Sequence, residues 1–148
     1  MQARLQSLQA AEAWHAAPAP PNVRSIASAA EFKAAVLAAP PGALVVADFF
    51  KPSCVGCRAL YPKLLKIAAS SPEVLFLKVN AAEPGAAGLA AALGADALPW
   101  FAFLRGGPAA TGEPLAAFSA NLRTVDTLRA EIAAHKACRA EEGCDESR

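Results

Sequence analysis

Charge of one sign is the first thing missing. The 148 residues carry 14 basic and 13 acidic side chains, for a formal net charge of +1. A chain so near neutrality lacks the basic footprint that nucleic acid or an anionic membrane surface attracts, so neither is an expected partner. Long hydrophobic runs are missing too. The longest charge-free stretch, Ala34 to Ala47, is fourteen residues long and broken by Pro40 and Pro41. A membrane-crossing helix needs about 20 apolar residues, so no span is expected. Histidine is reduced to His15 and His135, both expected at the surface, which leaves little to hold a metal. Cysteine is limited to Cys54, Cys57, Cys138 and Cys144, too sparse for a disulfide-framework protein. The first residues lack the basic patch and continuous apolar run of a secretory signal.

Apolar residues are abundant. They make up 55% of the chain, and alanine alone roughly a quarter of it. The larger ones suffice for one compact domain of about 100–120 residues. Residues 1–22 read as an arm: a short helix over Gln2 to Trp14, then a stop at Pro18, Pro20 and Pro21. Residues 23–137 read as the domain, and 138–148 as a charged flexible tail. Within the domain, Ser28-Ala-Ala-Glu31 matches a capping box and opens a helix that ends at Pro40-Pro41-Gly42. Leu44 to Phe50 is an almost unbroken apolar run, expected as a strand buried on both faces. A helix over Cys54 to Ser70 follows, with Pro62 inside it. Further strands are expected at Val74–Val79, Trp100–Leu104 and Pro114–Phe118, with helices at Ala86–Leu93 and from Thr124 to about Ala137. The order β-α-β-α-β-α-β-β-α predicts one α/β domain with a central mixed β-sheet flanked by helices, parallel crossovers first and a hairpin last.

The sharpest feature is Cys54-Val55-Gly56-Cys57, between a buried strand and a helix. A helix N-terminus carries about half a positive charge and unpaired N–H groups, both of which favour a thiolate. Cys54 sits at that end and Cys57 one turn further in. That spacing lets the two sulfurs close a disulfide, and lets Cys57 resolve a mixed disulfide formed at Cys54. A zinc site would need two more ligands, and Cys138 with Cys144 in a charged tail makes a poor second half. Asp48 stands in an otherwise apolar strand, where burial should raise its pKa and suit it to proton transfer. A strand-end carboxylate reaching solvent is the alternative. For Lys78 the alternative is a solvated strand-edge lysine.

Val46-Ala-Asp48-Phe-Phe50, Cys54-x-x-Cys57, Lys78-Val-Asn80, Leu98-Pro99 and Gly107 follow the thioredoxin order and spacing. The chain resembles the thioredoxin family over about residues 23–137, and so implies a thioredoxin fold. Asp48 to Pro62, Leu98 to Gly107 and Phe118 to Asn121 resemble, more narrowly, the atypical Cys-His-rich thioredoxins of plant and algal chloroplasts. That group lacks the tryptophan usual before the first cysteine, and Ser53 stands there in this chain.

The resemblance implies Cys54 as nucleophile, Cys57 as resolving thiol and Asp48 as the carboxylate that moves its proton, with Lys78 nearby. It implies that Pro99 is a cis-proline facing the disulfide and that Leu98 binds target backbone. Trp100 departs from the small or polar residue common there, and either shapes the target groove or faces the core. Gly56 replaces a proline usual in strongly reducing thioredoxins. By resemblance, then, the chain is a dithiol–disulfide carrier tilted toward oxidising targets. It has no cofactor, and a 2-Cys peroxiredoxin is its upstream partner. A chloroplast location is implied, with a cytoplasmic one as the alternative. An ordinary reducing thioredoxin, or a thioredoxin-fold binding module held in an assembly by its arm, are the competing functions.

Overall fold

The computed structural model describes residues 13–136. A 3-10 turn at Trp14–Ala16 leads into β1 (Val23–Ile26), α1 (Ala29–Ala38), β2 (Leu44–Phe50) and α2 (Val55–Ser70). β3 (Leu75–Asn80), α3 (Pro84–Ala92), β4 (Trp100–Arg105), β5 (Ala116–Ser119) and α4 (Val125–Lys136) complete the order. The helix expected over Gln2–Trp14, together with Cys138, Cys144 and the tail, falls outside the described residues except for Ala13 and Trp14. Trp14 opens the 3-10 turn, and its ring packs against Phe50 and Tyr61, with centroids 5.4 and 5.1 Å away.

The sheet order is β1-β3-β2-β4-β5. β1 and β2 each pair parallel with β3, while β4 pairs antiparallel with both β2 and β5. The expected mixed sheet, crossovers first and hairpin last, is therefore present. All seven residues of β2 are buried, as its apolar run requires. The capping box forms as well: Ser28 Oγ accepts the Glu31 N–H at 3.1 Å, and Glu31 Oε2 accepts the Ala27 N–H at 2.9 Å.

One boundary moves for a physical reason. The last strand begins at Ala116 rather than Pro114, since proline has no N–H to give a ladder. α4 begins at Val125, directly after Thr124, whose Oγ1 accepts the Asn121 N–H. Asn121 Oδ1 in turn accepts from the N–H groups of Arg123 and Thr124, closing the turn before the helix. Gly107 shows why that position takes glycine: φ is +112°, and a Cβ would meet Pro41 Cα at 2.7 Å.

Each face of the sheet holds its own apolar cluster. Val46, Phe76, Phe101 and Phe103 pack under α2 and α4 with Leu60, Leu64 and Leu128. Val45, Ala47, Phe49, Leu77, Val79 and Leu104 pack on the opposite side with Phe32 and Val36 of α1 and Ala86 and Ala90 of α3. The redox motif lies where β2 ends and α2 begins.

Candidate redox site

Strand β2 delivers the chain to Phe50, and a short loop through Lys51, Pro52 and Ser53 turns it into α2. Cys54 is the residue that caps the helix: its backbone is extended, and its Sγ accepts the Cys57 N–H at 3.1 Å. The sulfur thus sits against a free amide of the first turn, the place where a helix end best supports negative charge on sulfur. The two cysteines form a disulfide, with α-carbons 5.2 Å apart, well inside the usual bridging range. Cys54 is half-buried and Cys57 only 4% exposed, so an attacking thiolate reaches Cys54 first. Ser53, Val55 and Gly56 are exposed around it, Val55 by 81%.

Leu98-Pro99 is a cis peptide bond. Pro99 lies across from the motif: a Cβ at Gly56 would sit 3.8 Å from Pro99 Cδ. Ser119 of β5 fixes the far side of Pro99 by donating its hydroxyl to the carbonyl at 2.9 Å. Leu98 is half-buried beside it. Trp100 goes elsewhere. It pairs with Phe49 in the ladder, packs in the α1/α3 cluster, and donates its indole N–H to the Leu93 carbonyl at 3.0 Å. Trp100 is half-buried, with its ring against that cluster.

Asp48 and Lys78 are register partners on β2 and β3, 6% and 4% exposed. Neither reaches solvent as a strand-end or strand-edge residue, because β2 and β3 are both interior strands. Burial pushes the Asp48 carboxyl up to about 7, against the opposing pull of the Lys78 charge. Burial likewise lowers Lys78, opposed by Asp48. Asp48 Oδ1 is buried and accepts no hydrogen bond among the described residues. Cys57 and Tyr61 stand four residues apart on α2, hence on one helix face, and both are buried.

Two participants, Tyr61 and His15, escaped the sequence reading, while Trp14, which the sequence offers as a residue that could dock the arm onto the domain, does so. Tyr61 Oη accepts from Lys78 Nζ at 2.7 Å and donates to the His15 carbonyl at 3.3 Å. Lys78 Nζ also donates to the His15 carbonyl, and it lies 4.9 Å from the centroid of the Tyr61 ring. Trp14 donates its indole N–H to the Pro52 carbonyl at 2.9 Å, in the loop that leads to Cys54. The one available signal was Tyr61 at four residues from Cys57. His15 and Trp14 join through contacts 38 to 63 residues apart, which no local pattern announces.

A bridged cysteine pair at the start of a helix, fed by a buried strand that carries a carboxylate, is an arrangement chemically able to undergo thiol–disulfide exchange. The Thioredoxin family model matches residues 23–133. "Thioredoxin-like 1-2, chloroplastic" of Oryza sativa subsp. japonica is 40% identical over 116 residues, covering 78% of this chain and 39% of the relative. "Thioredoxin-like 1-1, chloroplastic" of Arabidopsis thaliana is 36% identical over 125 residues, 84% of this chain and 43% of the relative. Among solved structures, Fasciola hepatica thioredoxin superposes with a TM-score of 0.65 at 32% identity, over 76% of this chain and 99% of that one. The long form of spinach chloroplast thioredoxin f gives 0.66 at 26% identity, over 86% and 93%. The chain belongs to the thioredoxin family. It spans about two fifths of the length of the curated chloroplastic relatives just named. Among the described residues, no helix is long and apolar enough to cross a membrane.

Proposed function

We propose that the chain is a protein thiol–disulfide oxidoreductase that oxidises target dithiols and hands the electrons to a 2-Cys peroxiredoxin. The observation that carries this is the Cys54–Cys57 disulfide at the start of α2, with Cys54 as the helix cap, in a fold that also buries the Asp48 carboxyl. The direction rests on Gly56 and Ser53, which stand where strongly reducing thioredoxins have proline and tryptophan. A chloroplast location draws support from the names of the relatives. In this reading, residues 23–137 are the catalytic domain and the segments before and after it are accessory.

In the oxidising half-reaction, a target thiolate attacks Cys54 Sγ and the Cys54–Cys57 bond breaks. Cys57 leaves as a thiolate and takes a proton from neutral Asp48. The target's second thiolate then attacks the target sulfur of the mixed disulfide and releases Cys54 as a thiolate. Two electrons have passed from target to protein. In the return half, the Cys54 thiolate attacks the peroxiredoxin disulfide. Cys57 gives its proton to ionised Asp48, attacks Cys54 Sγ and expels peroxiredoxin as a dithiol, which peroxide re-oxidises. A carboxyl pushed up to about 7 has both of its forms available near neutral pH, so it serves both halves. Pro99 and Leu98, beside the motif, hold the target's backbone.

The test is a redox titration of Cys54–Cys57 in the full chain carrying Cys138→Ser and Cys144→Ser. A two-electron midpoint clearly above about −270 mV, with electron transfer to peroxiredoxin lost in Cys54→Ser, is the expected result. A midpoint at or below that value would make the protein an ordinary reductant. No reversible titration would leave a thioredoxin-fold binding module.

A further inference from the structure

Thiol exchange needs Asp48 to be able to hold a proton, and the structure shows an uncommon arrangement around its neighbour. A carboxylate and an ammonium buried at adjacent register positions would ordinarily pair with each other. Here the Lys78 ammonium gives its hydrogen bonds to the His15 carbonyl and the Tyr61 hydroxyl, while Asp48 Oδ1 accepts none. The acceptor that draws Lys78 away belongs to the 3-10 turn at Trp14–Ala16, far away in sequence. That turn is anchored twice. The Trp14 indole N–H binds the Pro52 carbonyl, and the Trp14 ring packs edge-on against Phe50 and Tyr61. The His15 ring lies 5.0 Å from Phe50 and adds to the same cover.

We infer that the Trp14–Ala16 turn, acting through Tyr61, is a positioning element of the redox site. It holds the Lys78 ammonium away from Asp48 and closes that carboxyl off from water. This rests on the reading of Asp48 as the proton carrier for Cys57. The groups facing Asp48 can be named element by element. β3 brings Lys78 as its register partner, α2 brings Tyr61, which feels the Asp48 charge and bonds Lys78, and the turn brings the His15 carbonyl to that same ammonium. β4 places Phe101 opposite it, and α4 brings Val125 and Leu128 to the same cluster, none of which titrates.

The consequence has a definite sign. With the turn in place, burial is the larger influence on Asp48 and holds its carboxyl up, while Lys78 pulls it down only in part. If the turn lets go, Lys78 loses its acceptor and water gains access. An ammonium free to pair with the carboxylate lowers its pKa by about 1–3 units. Asp48 would then stay ionised at neutral pH and could no longer return a proton to Cys57 as the disulfide opens.

The experiment uses the full chain with Cys138→Ser and Cys144→Ser, in three variants: Trp14→Ala, Trp14→Phe and Tyr61→Phe. The Asp48 carboxyl is followed by carbon-13 NMR across pH, its signal identified by its absence in Asp48→Asn. In parallel, the rate of Cys57 attack on a mixed disulfide at Cys54 is measured across the same pH range. Trp14→Ala is expected to lower the Asp48 midpoint by about one unit or more, and Tyr61→Phe to lower it as well. Trp14→Phe keeps the ring and should restore most of the wild-type midpoint. An unchanged midpoint in Tyr61→Phe, which loses one hydroxyl and keeps its packing, overturns the inference even if Trp14→Ala fails to fold. If Asp48→Asn leaves the Cys57 rate unaltered, the proton-carrier role itself fails. If that rate drops while the midpoints stay put, only the positioning role of the turn fails.

Discussion

The two faces of one sheet make unlike use of the same strands. In β2, Val45, Ala47 and Phe49 point to α1 and α3, while Leu44, Val46 and Asp48 point to α2 and α4. In β3, Leu77 and Val79 alternate with Phe76 and Lys78 in the same way. The α1/α3 cluster is apolar throughout. The α2/α4 face carries the buried carboxyl, the buried ammonium, Tyr61 and, near the start of α2, the buried Cys57. One side supplies stability without titrating, and the other gives up some stability to bury ionisable groups. An open cleft lined by Pro21, Pro40 and Glu73 lies at the opposite end of β2 and β3 and contains none of the site. The chemistry therefore occupies one corner of one face.

The strongest way to break that contrast is Asp48→Asn. Resolution by Cys57 should slow by about two to four orders of magnitude, the usual worth of a positioned proton carrier. Stability should change in a pH-dependent way. The Asp48 carboxyl titrates near 3.8 when exposed and at about 7 in the fold, so the folded protein holds the proton over that window and the unfolded chain does not. The contribution of Asp48 to stability is therefore greatest below about pH 4 and falls as pH rises to about 7, by on the order of 4 kcal/mol. In Asp48→Asn this slope should vanish. Urea melts at pH 4.5, 6 and 8 measure it directly. A slope that persists in the variant would mean that Asp48 is not the buried acid.

Much of this contrast was legible in the residues. The apolar run of β2 fixed its burial, Asp48 stood out within it, and Cys54-x-x-Cys57 marked the helix start. The Ser28–Glu31 capping box was read from four letters, because a cap is a local contact. Lys78 was ambiguous, since its strand becomes interior only when β1 and β2 flank it, and strand order is a property of the whole sheet. Trp100 was undecided for a related reason: its side of the sheet follows from the antiparallel register with β2, in which Phe101 and not Trp100 faces Asp48. The His15 and Tyr61 contacts were invisible, because no sequence pattern links a 3-10 turn to side chains 46 to 63 residues away.

A change on the apolar face should have the opposite profile. Leu104 is fully buried among the residues facing α1 and α3. Truncation to alanine removes its contacts and leaves a cavity, at a cost of about 2–5 kcal/mol. The loss should be the same at pH 4.5 and pH 8, because no titrating group lies in that cluster. The pH dependence of Cys57 resolution should match wild type, read on the folded fraction at low temperature. If Leu104→Ala shifted that profile, the two faces would be coupled and the division drawn above would be wrong.

The smallest expected effect sharpens the contrast at its outer edge. Val55 is a large apolar side chain left 81% exposed, at the first position of α2 between the two cysteines. Packing gives it nothing to lose, so Val55→Ser should change stability by no more than about 0.5 kcal/mol. Burial against a partner is the only way its apolar surface leaves water, and full burial of a valine is worth roughly 1.5–3 kcal/mol. Partial cover by a docked protein should therefore make Val55→Ser raise KM for a protein disulfide several-fold. Exchange with a small disulfide such as oxidised glutathione, which covers far less surface, should stay within twofold. Steady-state rates with the two substrates at one pH decide it. Equal slowing of both would place Val55 in the chemistry at Cys54 rather than in contact with the target.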